Sequence, residues 1–123
     1  MRLETADKAQ EKGWYCGPWD SDLGISLGYA NKGVDEPHMH RQMTEIYFMA
    51  RGTAVIRVES ETIELVQGQM LVVEPGEVHT FLASSPDHFH FVIQVPGLQG
   101  KEAAADKVLL PRSKPGLDET EVR

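Results

Sequence analysis

The chain contains 123 residues, of which 41% are hydrophobic and 25% are charged, as expected for one ordinary globular domain. Its formal charge of -7 argues against nucleic acid and anionic membranes as partners, because both bind basic surfaces. The single cysteine, Cys16, excludes an intramolecular disulfide, and the sequence has neither a signal-peptide pattern nor an apolar run of membrane-spanning length. We therefore expect a soluble, cytoplasmic protein.

In chain order, a polar N-terminal extension comes first (1–13), with a short helix predicted over 6–12. From residue 14 to residue 97, short apolar runs alternate with glycine, proline and acidic turns, which predicts strands at 25–30, 45–50, 53–58, 62–66, 70–73, 78–82 and 89–95. No helical period separates these strands, so an antiparallel sandwich or barrel is expected. In the C-terminal extension (98–123), the sequence predicts one helix at 101–110 and a loose, charged end at 111–123.

The most informative segment is the His-x-His pair of His38 and His40, which is followed by Glu45 and, in a later run, by His79. On a strand, His38 and His40 point to the same face because side chains alternate. Glu45 opens one predicted strand and His79 lies in another. Such a set suits one divalent transition metal (Fe, Mn, Ni, Zn or Cu) better than calcium. The predicted metal ligands are His38, His40, Glu45 and His79.

Residues 33–83 resemble the two signature motifs of the cupin superfamily, in the small cupin-2 conserved-barrel form. The first motif continues from the His-x-His pair through four residues to Glu45 and six more to Gly52. The second motif starts at Gly68 and continues through Pro75 and Gly76 to a histidine, His79. These coupled spacings, rather than any single residue, carry the resemblance.

Three positions depart from the cupin pattern. Lys32 stands at the expected glycine, with Gly33 one residue later. Glu74 replaces a proline and Ala83 replaces an asparagine. These positions shape turns and barrel ends, so they bear on the subfamily more than on the fold, and all four ligand positions are intact.

The resemblance implies an all-β cupin double-stranded β-helix, or jelly-roll barrel, of about six to eight strands with the metal inside one end. Together with the changes in composition, it places the barrel domain at 14–97, between short N- and C-terminal extensions. It also implies a homodimer that pairs through its outer strands.

Two further side chains are candidates for catalysis. Tyr47 shares the strand face of Glu45, so it either packs in the core or places its hydroxyl near the metal. If Phe89 and Phe91 face inward, which buries more apolar area, His90 lies outside or at a dimer interface. If the other face is inward, His90 lines the pocket as an acid, a base or a polar contact.

Other side chains have more ordinary interpretations. Met49 is expected in the core and Phe81 on the pocket wall, because each follows the parity of its neighbouring ligand. Trp14 and Trp19 belong to an aromatic cluster that packs over the barrel or across a dimer, with a ligand platform as the alternative. Cys16 has no basic neighbour in sequence that would activate it as a nucleophile.

An octahedral ion with four protein ligands keeps about two positions open, which is the form of a catalytic site. The sequence therefore predicts a metal-dependent enzyme for a small-molecule substrate, either a dioxygenase or an isomerase or cyclase. In the second case Glu45, Tyr47 or His90 moves a proton, and Glu45 is then a base rather than a ligand. The alternative is a non-catalytic barrel that binds or senses a sugar or organic acid. A fold does not determine a reaction, so the sequence leaves these open.

Overall fold

A computed structural model describes residues 1–111 of the chain. In this part, ten strands and one short helix follow one another. The strands are β1 (Lys12–Cys16), β2 (Ser26–Ala30), β3 (His38–His40), β4 (Thr44–Arg51), β5 (Thr53–Val58), β6 (Glu61–Val66), β7 (Met70–Val73), β8 (His79–Ser84), β9 (Phe89–Val95) and β10 (Lys107–Leu109). Helix α1 (Gly100–Asp106) lies between β9 and β10. Apart from Pro111, the end predicted to be loose lies outside the described residues.

The strands form two five-stranded antiparallel sheets. Their orders are β1-β2-β9-β4-β7 and β10-β3-β8-β5-β6. Gly52 (φ 79°) and Gly68 (φ 92°), the glycines of the two sequence motifs, adopt left-handed backbone that a side chain would strain. All seven predicted strands are present, with ends that differ by two residues at most.

The apolar core lies between the sheets. Ile56 is fully buried, Met49 is 1% exposed and Val73 is 2% exposed, as the alternation of each strand predicts. The predicted place of Met49 in the core is thus confirmed. Tyr47 and Phe81 join the same cluster and extend it towards the polar end of the barrel.

The helix predicted over residues 6–12 is wrong. The chain makes a turn there, in which the Gln10 amide donates to the Asp7 carbonyl at 3.1 Å, and Lys12 already begins β1. The amide side chain of Asn31 donates to the carbonyls of Asp7 and Gln10, which holds the turn against β2. An isolated seven-residue helix is only marginally stable, so these contacts prevail.

The helix predicted over residues 101–110 is partly wrong. It ends at Asp106, and Lys107–Leu109 pair with the three residues of β3. This pairing satisfies backbone groups that would otherwise leave β3 as an open sheet edge. Part of the C-terminal extension is therefore a strand of the second sheet.

Within residues 1–111, no helix has the length and apolar character needed to cross a membrane.

Candidate metal centre

Four buried side chains meet between the two sheets. They are His38 and His40 from β3, Glu45 from β4 and His79 from β8, and each offers one donor atom within 4.8 Å of the others. Strands β3 and β8 are neighbours, and His38 lies directly opposite His79. Glu45 comes from the facing sheet, so the barrel must close before the cluster exists.

Each of the three imidazoles has its Nδ1 atom next to an oxygen acceptor. The distances are 2.8 Å from His38 to the Glu36 carbonyl, 3.0 Å from His79 to the Glu77 carbonyl and 2.9 Å from His40 to Oδ2 of Asp106. Carbonyls and ionised carboxylates only accept hydrogen bonds, so Nδ1 carries the proton in each ring. A neutral ring of this tautomer presents a bare Nε2 lone pair, which is the form that binds metals.

The three Nε2 atoms face the carboxylate of Glu45. Its Oε1 lies 3.0 Å from Nε2 of His79, 3.2 Å from that of His40 and 4.0 Å from that of His38. Nε2 of His40 is buried and has no hydrogen-bond partner. Four electron-rich atoms that face one another need a cation between them, and imidazole nitrogen with carboxylate oxygen suits a divalent transition metal. The residues therefore fit the predicted ion.

The carboxylate of Glu45 is held in its ionised form. Burial alone would raise its pKa, but the neighbouring His40 and His79 and the amide of Gln94 lower the pKa well below its ordinary value. The pKa of His38 is lowered by burial and then by the neighbouring His79. An ionised carboxylate is the form in which Glu45 can bind a metal.

Two neighbours fix the orientation of Glu45. The Tyr47 hydroxyl donates to Oε1 at 2.7 Å, and Nε2 of Gln94 donates to Oε2 at 2.8 Å. Burial, and then the charge of Glu45, raise the pKa of Tyr47 well above its ordinary value, so its hydroxyl stays a donor. Sequence reasoning missed Gln94, although Gln94 shares the strand parity of His90.

Asp106 is a second residue that sequence reasoning missed. Its carboxylate is buried; Oδ2 accepts from His40, and Oδ1 accepts from the Gln42 amide at 2.7 Å. Such a carboxylate partner orients a ligating imidazole and raises its basicity. Burial opposes protonation of His40, but hydrogen bonding and the charges of Glu45 and Asp106 prevail and raise its pKa. A lone aspartate 66 residues beyond His40 gives no local signal of this role.

His90 faces the interior, which is the second of the two arrangements that the sequence left open. His88 is 1% exposed and His90 is 5% exposed, whereas Phe91 is 37% exposed. The outer face of β9 is not bare, since the Phe89 ring stacks on Tyr29 at 6.2 Å between centroids. These aromatic contacts shelter the phenylalanines outside the barrel and leave the inner face to the histidines.

The two inner histidines form a pair. Nε2 of His88 lies 2.7 Å from Nδ1 of His90, so one ring donates to the other and they share a proton. Burial, and then His88, lower the pKa of His90 to about 3, and burial also lowers that of His88. A Cβ on Gly33 would lie 2.7 Å from Cε1 of His88, so the displaced motif glycine lets the ring fit.

The cluster opens onto a cavity of about 530 Å³. Three of the cluster residues line it: His38, His40 and Glu45. The lining also includes Tyr47, Phe81, His90 and Gln94. Trp14 and Trp19 line it as well, with their rings edge to face at 5.7 Å between centroids. Cys16 is buried and is not among the lining residues. The arrangement can hold an ion at the wall of a chamber that admits a small molecule.

The comparisons with known proteins agree with this architecture. The cupin domain family matches residues 27–95. KdgF from Halomonas sp. has a TM-score of 0.60 at 19% identity, over 71% of this chain and 80% of its own. A single-residue variant of Streptomyces PAC13, with uridine, has a TM-score of 0.65 at 13% identity, over 89% of this chain and 92% of its own. A Cupin 2 conserved barrel protein from Salinispora arenicola has a TM-score of 0.62 at 11% identity, over 77% of this chain and 88% of its own.

No curated protein sequence matches this chain significantly. Identities this low make the solved structures a guide to the fold alone. The family match establishes the family as well as the fold. Residues 27–95 make up more than half of the chain and include every strand from β3 to β9. The chain therefore belongs to the cupin family, and its two sheets form the double-stranded β-helix barrel of that family.

Proposed function

We propose that this cupin is a metal-dependent enzyme that catalyses proton transfer on a small molecule, as in isomerase or cyclase reactions. The observation that carries the proposal is the convergence of three bare Nε2 atoms and one carboxylate at the wall of a cavity of about 530 Å³. A structural metal site is closed by its ligands, whereas a catalytic one borders space for a substrate. Bound there, a divalent metal supplies Lewis-acid polarisation of a substrate oxygen.

Within this proposal, His38, His40, Glu45 and His79 hold the ion. Tyr47 and Gln94 already engage the two oxygens of Glu45, so that carboxylate is too constrained to exchange protons freely. We therefore assign Glu45 as a ligand rather than as the base. Tyr47 orients Glu45, and its raised pKa keeps the proton on its hydroxyl.

His90 is the residue to which we assign proton transfer. It lines the cavity, and its Nδ1 is occupied by His88, which leaves its Nε2 for the substrate. If His88 donates in the pair, Nε2 of His90 carries a proton and acts as an acid; if His90 donates, the same atom acts as a base. The two arrangements differ in the tautomer of both rings. After His90 gives its Nε2 proton to the substrate and accepts the shared proton at Nδ1, His88 must take up a proton at its own Nδ1 to remain neutral.

A dioxygenase would use the same four ligands, with Fe or Mn as the ion. Proton transfer is favoured because His90, one member of a hydrogen-bonded histidine pair, lines the cavity, and redox chemistry at an iron centre does not require such a group. The barrel is compatible with chemistry of this class, since Pac13 is described as a nucleoside dehydratase and loss of water involves proton transfer.

The test incubates metal-loaded protein in D₂O with a panel of sugars, nucleosides and small acids, and NMR monitors any turnover. Each reaction is run with and without O₂. We expect deuterium incorporation or isomerisation that does not depend on O₂, and its loss in His38→Ala and in His90→Asn. The two variants should differ in one respect: we expect His90→Asn to retain its metal and His38→Ala to lose it. Turnover that consumes O₂ would identify a dioxygenase. Saturable binding by wild type and His38→Ala alike, without turnover, would identify a non-catalytic binding module.

We also propose that the chain forms a homodimer through the outer face of the first sheet. Phe48, Met70 and Phe91 are each more than a third exposed there, and Phe48 lies opposite both of the others in the strand register. A contiguous apolar patch of this kind marks an interaction surface. Light scattering should give twice the 13.7 kDa chain mass, and Phe48→Glu should give the monomer. A monomeric wild type at high concentration would contradict this proposal.

A further inference from the structure

Basic side chains outnumber acidic ones in the lining of the cavity, whereas acidic residues predominate in the chain as a whole. Across the chain, 19 acidic residues outnumber 12 basic ones. Among the described residues that line the cavity, the basic ones are Lys12, Lys32 and Lys107, and the acidic ones are Asp35 and Glu45. Glu45 belongs to the metal centre, so its charge is compensated when the ion is bound. Cationic side chains thus concentrate at the cavity of an acidic protein.

The strand register explains why two of these lysines face the cavity from opposite sheets. Lys12 lies opposite Ala30, which lies opposite His90, so all three share the inner face of the first sheet. Lys107 lies directly opposite His40 in the second sheet and shares its inner face. The charge of Lys12 also helps to lower the pKa of His90, which agrees with this placement.

The other two charged side chains of the cavity lining, Asp35 and Lys32, already have partners. Asp35 accepts hydrogen bonds from the Thr80 hydroxyl at 2.9 Å and from the Phe81 amide at 2.8 Å. Lys32 lies 3.7 Å from Glu11 in an exposed pair. Lys12 and Lys107 are therefore the lysines that we assign to ligand binding.

An aromatic platform lies beside Lys12 and lines the same cavity. Trp14 is 48% exposed and follows Lys12 on the same face of β1, with its ring against Gly28. A Cβ at Gly28 would lie 2.8 Å from Cε3 of this ring. Trp19 is 45% exposed and meets Trp14 edge to face. Exposed tryptophans that line a cavity offer apolar area for the body of a ligand.

We propose that the cavity binds a small ring-bearing anion, with its carboxylate or phosphate between Lys12 and Lys107 and its ring against Trp14 and Trp19. The proposal rests on the proposed function only in taking this cavity as the substrate site. The anionic group is held by the lysines at the mouth, not by the metal, so it should be recognised with or without the ion. Recognition of the charge at the mouth would leave the rest of the molecule to reach the metal centre.

Tryptophan fluorescence can test this directly, because Trp14 and Trp19 are the two tryptophans of the sequence and both line the cavity. The probes are cyclohexanecarboxylate, its uncharged match cyclohexanecarboxamide, and cyclohexyl phosphate, which do not absorb where tryptophan is excited. Each is titrated at low ionic strength into metal-free and metal-loaded protein. The variants are Lys12→Ala/Lys107→Ala and, as a matched control, Lys8→Ala, an exposed lysine that does not line the cavity.

We expect the carboxylate to bind about fivefold more tightly than the carboxamide, in both metal states, and salt to reduce the difference. The double lysine variant should reduce the preference to below about twofold, whereas Lys8→Ala should retain it. The ratio of phosphate to carboxylate affinity identifies which anion the site prefers.

Equal affinity for the two cyclohexane probes, no binding of any probe, or a preference that survives in the double variant would overturn the proposal. A preference that exists only in metal-loaded protein would mean that the ion holds the anion, which overturns this inference and leaves the proposed function intact. The opposite result is also possible: the protein takes up no metal but keeps the lysine-dependent preference. That result would support the anion site and contradict the metal-dependent function.

Discussion

The two ends of the barrel are built from the same strands but by different rules. Strand β4 supplies Met49 to the apolar core and Glu45 to the polar cluster, and β8 supplies Phe81 and His79 in the same way. A core side chain needs only an apolar neighbour, so alternation along one strand determines its place. Each side chain of the polar end needs a specific partner from another strand. The comparison predicts that the core sets stability and the polar end sets metal binding.

The largest expected effect is loss of the ion when a ligand is removed. His38→Ala deletes one of three converging Nε2 atoms, so we expect its affinity to fall by more than the ~10–100-fold typical of losing an outer partner. Metal content after gel filtration, measured by elemental analysis, should drop from near one equivalent to below about a tenth. The matched control is His88→Ala, which removes a buried imidazole outside the cluster and should keep its metal. Similar losses in both variants would contradict the four-ligand site.

The core should respond in the opposite way. Ile56 is fully buried and is not among the cavity-lining residues, so Ile56→Ala should lower the free energy of unfolding by about 2–5 kcal/mol. At temperatures where the variant is folded, it should still bind one metal ion. Urea unfolding and elemental analysis measure the two properties. A variant that folds but has lost its metal would show that the ends are not separable.

Asp106 is not a predicted metal ligand, but it should affect the metal affinity of the site through His40. Asp106→Asn keeps the size of the side chain but removes the charge that orients His40, so metal affinity should fall by about 10–100-fold. Competition with a metal chelator gives the affinity. Because Asp106 also accepts from the Gln42 amide, the variant's free energy of unfolding must be measured alongside. An unchanged affinity would show that His40 does not need this partner.

The smallest expected effect is on the pH dependence of stability. The pKa of His90 is lowered to about 3 from 6.5, so below pH 6.5 the unfolded chain binds a proton that the folded chain does not. Stability should therefore fall with pH from 6.5 towards 3, and His90 should contribute about 1 kcal/mol of loss between pH 7 and pH 5.5. Urea unfolding of wild type and His90→Gln at several pH values measures this. An equally steep dependence in both proteins would contradict the neutral, buried His90.

The sequence predicted the strands and the ligand cluster, which follow from local patterns. It missed the residues whose roles depend on contacts between distant parts of the chain. The seven strands and the convergence of His38, His40, Glu45 and His79 follow from alternation and from motif spacing. The sequence left the inward face of β9 open, because apolar area alone favours burying its phenylalanines, whereas in the structure tyrosine rings cover them from outside.

Asp106 shows the limit most clearly. It ends a seven-residue helix that is otherwise unremarkable in sequence, and its role exists only because Lys107 to Leu109 pair with the strand of His38 and His40. Gln94 reaches Glu45 across a strand pair that no spacing rule predicts. Partners of this kind come from tertiary structure, so one sequence gives no signal for them.

X-ray absorption spectroscopy of the metal-loaded protein tests the central claim most directly, because it counts the ligands of the bound ion. We predict one ion with three imidazole nitrogens and carboxylate oxygen, no sulfur, and the loss of one imidazole or of the ion itself in His40→Ala. Failure to take up any transition metal, or a spectrum with fewer than three imidazoles that His40→Ala leaves unchanged, would contradict the account.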